Sequence, residues 1–364
     1  MKNIALSLLL VCLFGCSSAE DHTVSLFVGT AGKSATSGIS VCKFDTLSGA
    51  LSEARVVAHI PNCNYLHISN DGNYLFSVAQ DSDNRFMIHS YQILENDSLQ
   101  FISSVNSLGN DPCFVEYIDE KNLLISANYS SGSIAYFKVS DQGVINKGKS
   151  ISHTGSGPNK GRQKSPHAHS IRYDYNNGFF YAADLGADKV MVYALEGDDL
   201  VIRDSIMCNP GDGPRHLDFH PDNSMMAVVN ELSMSVTTYA LNEEGIFKEE
   251  LQTLTLVPAS FEEPAKAADI HFSQDGKYLY ASNRGFDAIG IFKVNADSKL
   301  DFLEFQTEGV SWPRNFNVTL KNWLLLANRD DNQLRVFALE NNGLLKASGS
   351  VADSDLPICI KVKK

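Results

Sequence analysis

Helical periodicity, an excess of basic residues and paired cysteines are all missing from this 364-residue sequence. With no run of apolar residues at three-to-four spacing, helix-rich architectures are excluded and an all-β chain is expected. Acidic residues outnumber basic ones, 43 to 30, for a formal charge of -13. That balance excludes nucleic acid as a partner, which would call for a basic face or stripe, and leaves only a local arginine cluster as an anion site. Past the amino-terminal segment the cysteines are Cys42, Cys63, Cys113, Cys208 and Cys359, an odd set without C-x-x-C spacing. A zinc site or disulfide scaffold is thereby excluded, and each cysteine lies in or beside an apolar run, where a free thiol behaves as a small buried hydrophobe. No metal and no cofactor is expected. The amino-terminal apolar run, Ile4 to Phe14, is too short to cross a bilayer, for which about 20 residues are needed.

That run follows Lys2 and precedes Gly15-Cys16, so it reads as a secretory signal to be left out of the fold. Leu13-Phe14-Gly15-Cys16 resembles the lipobox of bacterial lipoproteins, which implies lipidation at Cys16; ordinary cleavage after Ala19 is the alternative. The implied destination is an exported lipoprotein facing the periplasm or the cell surface, touching the membrane only through its lipid.

The remainder repeats. An apolar-polar-apolar triplet recurs as Leu66-His67-Ile68, Val115-Glu116-Tyr117, Ile171-Arg172-Tyr173, Leu217-Asp218-Phe219, Ile270-His271-Phe272, Phe316-Asn317-Val318 and Ile360-Lys361-Val362, at spacings of 44 to 56 residues. Turn signals follow most copies, among them Asn70-Asp71-Gly72 and Gln274-Asp275-Gly276. A second strand then ends in an amide or acid (Asn128, Asp184, Asn230, Asn283, Asn328), and a third and a weaker fourth strand come after it. Four strands per unit at this period predict a β-propeller of seven four-stranded antiparallel blades. Six full units run from about Ala58 to Gly349; the seventh is split, with Val24 to Gly29 and Gly38 to Phe44 as middle strands and Pro357 to Val362 as the inner strand that closes the ring. The expected organisation is a signal peptide over 1–15, a tether over 16–22 and one propeller domain over 23–364.

The densest chemistry lies in Gly155 to Arg172, a turn-rich loop with Lys160, Arg162 and Lys164 ahead of His167 and His169. One residue apart at the start of a strand, the two histidines are expected to point opposite ways. Propeller topology brings the residues before each triplet and those after each second strand to one mouth of the channel. The first group holds His167, His169, Arg215, His216, Asp269 and Arg314; the second holds Asn128, Asp184, Asn230-Glu231, Asn283-Arg284 and Asn328-Arg329. The strand-end amides are read as structural, since short polar side chains there bond neighbouring backbone. His67 and His271, as triplet centres, are read as channel lining. Gathered arginines are harder to dismiss, because like charges at one mouth need carboxylate partners or an anionic ligand. Glu231 and Asp184 can neutralise two of them.

The runs G-S-G-P-N-K-G-R-Q-K-S-P-H-A-H-S, D-L-G-A-D-K-V, G-P-R-H-L-D-F-H-P-D, V-N-E-L-S, S-N-R-G and P-R-N-F resemble the signature runs of the lactonase family of seven-bladed propellers, over essentially the whole mature chain. The resemblance implies hydrolysis of a sugar lactone, with a 6-phosphogluconolactone-like substrate as default. It also assigns a catalytic histidine, two arginines and a glutamate to His167, Arg215, Arg284 and Glu231. In that assignment His167 is the general base, Glu231 orients it or the water, and the arginines hold an oxyanion or a substrate anion. His169, Arg162, Arg314 and Asp184 are expected to bind substrate. A muconate-type cycloisomerase would use the same groups, and a non-catalytic lipoprotein propeller binding a sugar acid or a protein partner is the reading from another class. An arginine-rich mouth suits a dication poorly.

Overall fold

The computed structural model describes residues 22–242, 244, 246–319 and 321–363; the signal, Cys16 and all of the tether but His22 lie outside them. The described residues form seven four-stranded antiparallel sheets and a single short 3-10 turn at Asp119–Lys121. Blades I to VI follow the chain, each running from inner to outer strand. Their inner strands are Tyr65–Ile68, Pro112–Ile118, Ala168–Tyr173, Pro214–Phe219, Lys266–Phe272 and Pro313–Val318. Blade VII is the split one: Pro357–Lys363 innermost, then Thr23–Thr30, Ile39–Asp45 and Arg55–Ala58. Arg55–Ala58 therefore belongs to the closing blade, and the six continuous blades run from Tyr65 to Asp353, starting after the expected Ala58 and ending just past the expected Gly349.

The closure is an antiparallel ladder that pairs Leu26 with Val362, Val28 with Ile360 and Gly29 with Cys359. Period-two alternation puts each triplet centre into the channel and its apolar flanks against neighbouring blades. Those flanks and the facing second and third strands make the core, which lies between blades. Val28 and Ile360 pack with Ala327 and Val336 of blade VI, while Phe76 and Tyr117 stack across blades I and II at 4.8 Å. All five described cysteines are free and buried.

Candidate functional site

Five inner strands carry an irregularity at the same end. In blade II the register skips between Pro112 and Phe114, in blade III between Ala168 and Ser170, in blade IV between Pro214 and His216, and in blade VI between Pro313 and Asn315. A wider shift occupies Ala267 to Ile270 in blade V. The skipped residues are Cys113, His169, Arg215 and Arg314. A bulge leaves one residue unpaired and re-aims its side chain, which is how one position per blade comes to face the channel mouth. The bulge also changes the relation of the two loop histidines. His167 stands before the strand and stacks on Tyr129, ring centroids 4.5 Å apart; His169 meets the same ring edge-on at 5.4 Å. They converge where an unbroken strand would have set them apart.

The loop that carries them is pinned from inside. Fully buried Gln163 donates to the Leu185 carbonyl and to Asp188, and accepts from the Asn159 amide. Gly186 passes so close to the Ser165 carbonyl that a Cβ there would lie 2.0 Å from its oxygen. Arg162 is thereby held over the mouth.

Glu231 is the hub. Its Oε1 accepts from Arg162 at 2.7 Å, and its Oε2 accepts from Arg215 Nε at 3.1 Å and Arg284 at 2.9 Å. His169 Nε2 lies 4.0 Å from the same oxygen. Arg215 also donates to the Ala268 carbonyl, and Arg284 to that of Ala267. Burial alone would raise the Glu231 pKa, but Arg284, Arg215 and Arg162 outweigh it and hold the carboxyl at about 2. The cations respond in the other direction: burial and then Arg215 lower Arg284 to about 9 and Arg314 to about 10. Among the described residues no carboxylate lies within ion-pair distance of Arg314. Arg329 pairs with Asp330 and stacks over Trp312, its carbon 4.4 Å from the ring centroid, and Arg284 approaches the same ring at 5.9 Å. Three guanidiniums thus share one carboxylate at this mouth, with Arg314 beside them as a fourth, and the surplus positive charge makes it a seat for an anion.

His167 and His169 differ in kind. His167 Nδ1 lies 2.9 Å from the Tyr129 carbonyl oxygen, which can only accept, so Nδ1 is the donor and in the neutral ring the lone pair is on Nε2. His169 is buried, and burial together with the charges of Arg215 and Arg314 holds its pKa well below the usual histidine range. It stays neutral and serves as a hydrogen-bonding group. The two halves of the site are joined by Tyr129, whose hydroxyl accepts from Arg162 while its ring carries His167.

The mouth brings together His167, His169, Arg162, Arg215, Glu231 and Arg284 through these contacts, with Arg314 beside them. Asp184 is different. It is fully buried, accepts from the His167 and Ala187 amides and pairs with His153 Nδ1 at 2.6 Å, and among the described residues it pairs with no arginine, so it acts from beneath the mouth. His153 in turn meets the Tyr193 hydroxyl at 2.6 Å, a buried triad that fixes the position of His167 from behind. Asn128, Asn230, Asn283 and Asn328 bond to neighbouring backbone or hydroxyl groups, as strand-end amides were expected to do. Tyr129 and Trp312 escaped sequence reasoning. Tyr129 follows Asn128 as Glu231 follows Asn230 and Arg284 follows Asn283, so register alone marks it; Trp312 has only its place two residues before Arg314. Among the described residues no three His, Cys, Asp or Glu side chains gather as a metal site requires.

Residues 25–362 match the family model described as lactonase, 7-bladed beta-propeller. The chain is 33% identical over 341 residues to a 6-phosphogluconolactonase of Bacillus subtilis, covering 92% of this chain and 97% of that one. Among solved structures it resembles a putative 6-phosphogluconolactonase from Bacteroides fragilis (TM-score 0.87, 30% identity, 95% of this chain and 99% of the other). A periplasmic gluconolactonase of Pseudomonas aeruginosa is equally similar, with TM-score 0.87 and 31% identity over 93% of this chain and 99% of that one.

Proposed function

We propose that this chain, which belongs to the lactonase family of seven-bladed β-propellers, hydrolyses a sugar lactone at the mouth built around Glu231. The observation that carries the reading is the pairing of an arginine cluster in positive excess with a histidine whose Nδ1 is committed as donor. A water between His167 Nε2 and the lactone carbonyl gives its proton to Nε2 as its oxygen attacks. Negative charge grows on the carbonyl oxygen beside Arg215 and Arg284. Collapse breaks the ring C–O bond, and the imidazolium returns its proton to the departing alkoxide, which leaves an open hydroxy acid. Glu231 acts through the arginines as a positioning residue: its oxygens are taken by three guanidiniums, so it sets their spacing rather than handling the proton. Arg314 and Arg162 hold the phosphate of a phosphorylated lactone or the hydroxyls of a neutral one.

The export signal and Cys16 complete the proposal: a lipid-anchored protein outside the cytoplasm. His22, the first described residue, lies on the rim of the channel's opposite end, so an anchor on the preceding tether leaves the Glu231 mouth facing away from the membrane. For an exported chain, similarity to a periplasmic gluconolactonase favours an unphosphorylated substrate, whereas the names of the B. subtilis and B. fragilis proteins favour a 6-phosphate. Proton release from glucono-δ-lactone and its 6-phosphate, each above spontaneous hydrolysis and with and without chelator, decides between them. Chelator-insensitive turnover of either supports the reading. No turnover of any aldonolactone removes it in favour of a binding propeller.

A further inference from the structure

The channel has a second end. At the hairpin-turn side a cavity of about 610 Å³ opens to solvent, within the usual size range of small-molecule sites. All seven triplet centres line it, in ring order His67, Glu116, Arg172, Asp218, His271, Asn317 and Lys361. Its floor is aromatic: Tyr65 and Phe114 lie with centroids 4.4 Å apart and close against His216, which separates this funnel from the Glu231 mouth.

The ring is polarised. Arg172 lies 3.1 Å from Glu116 and 3.7 Å from Asp218, so one side is a bridged run of two carboxylates around one guanidinium. On the other side Lys361 stands between Asn317 and His67. Its ammonium donates to the Tyr65 hydroxyl at 3.3 Å and sits 4.4 Å from that ring's centroid, and among the described residues no carboxylate comes within ion-pair distance of it. Lys321 adds a second cation on the rim of the same sector. A cation with no carboxylate in direct contact, facing hydrogen-bond acceptors across a small cavity with an apolar floor, suits a ligand carrying one carboxylate and several hydroxyls.

We propose that this funnel is a second binding site, for a small polyhydroxylated carboxylate whose acid group pairs with Lys361 and whose hydroxyls reach Asp218, Glu116 and Asn317. Such a ligand has the chemistry of an opened sugar lactone, but the inference concerns equilibrium binding and stands whether or not the other mouth hydrolyses anything.

The two tryptophans of the chain make the site testable. Trp323 packs edge-on against Phe44 at 6.1 Å and donates to the Thr46 carbonyl, and both partners line the funnel. Trp312 belongs to the Glu231 mouth. In Trp312→Phe, gluconate titration should change Trp323 fluorescence saturably, with glucose and inorganic phosphate giving no matching response. Adding Lys361→Met should weaken that binding by about tenfold or more, the loss of one charge-assisted hydrogen bond, and Lys361→Arg should restore most of it. In Trp323→Phe the Trp312 response, if any, should be indifferent to Lys361→Met. A flat Trp323 signal, equal responses to glucose or phosphate, or an unchanged affinity in a Lys361→Met protein that melts normally would overturn the proposal.

Discussion

Replacing Glu231 by Gln should destabilise the propeller more than most single changes. The side chain keeps its shape, but three guanidiniums lose their only shared anion, and two of them, Arg215 and Arg284, are almost wholly buried. Breaking a buried ion pair from one side costs about 3–5 kcal/mol. The ionisation equilibrium gives a second route to the magnitude. A carboxyl held at about 2 against an ordinary 4.5 contributes about 3 kcal/mol at neutral pH. Because the folded pKa is the depressed one, this stability is complete above pH 4.5 and is lost as the pH falls toward 2. At about 2 °C per kcal/mol for a domain this large, the variant should melt about 6–10 °C below wild type at pH 7. It should also show a shallower loss of stability over the acid window, so that the two curves approach one another near pH 2. Calorimetry at a series of pH values reads both effects. Phosphate should stabilise the variant more than wild type, since it can replace the missing anion. Melting within 1–2 °C of wild type, together with an unchanged acid profile, would refute the hub role of Glu231.

Three other changes probe separate parts of the account. Arg314→Met removes a guanidinium with no carboxylate partner; melting temperature should hold or rise slightly while KM for an anionic lactone increases about tenfold, and an unchanged KM would exclude Arg314 from substrate binding. Deleting 357–364 removes the buried Ile358 and Ile360, each worth about 1.5–3 kcal/mol, and opens the ring to bare strand edges; a monomeric truncated protein with the wild-type melting curve would contradict closure by this strand. Cys16→Ser should move the protein from the membrane fraction to the soluble one, because one short apolar run cannot anchor it, and retention in the membrane would disprove lipidation at that residue.

How much of this could be read beforehand depended on whether a signal was periodic. The triplets and their turns repeat in sequence, so blade number, the split blade and its closing strand were all legible. The outer strand Arg55–Ala58 of the split blade went unread because a short edge strand carries almost no pattern of its own. The mouth was legible as a set of positions, since topology alone brings strand ends together. What stayed hidden were the bulges at Cys113, His169, Arg215 and Arg314, which change side-chain direction without changing the apolar pattern. For the same reason His167 and His169 were expected to diverge. Asp184 looked like Asn128 or Asn230 with a charge; its capture by His153 depends on a loop residue 31 positions away that no local rule connects to it.

The central claim is that His167 takes the proton at an arginine-lined mouth that opens a lactone. Steady-state proton release from the better of glucono-δ-lactone and its 6-phosphate, measured for wild type and for His167→Ala with matched melting curves, tests it most directly. In His167→Ala kcat should fall about 10²- to 10⁴-fold with KM nearly unchanged; wild-type turnover in that variant would contradict proton transfer to His167.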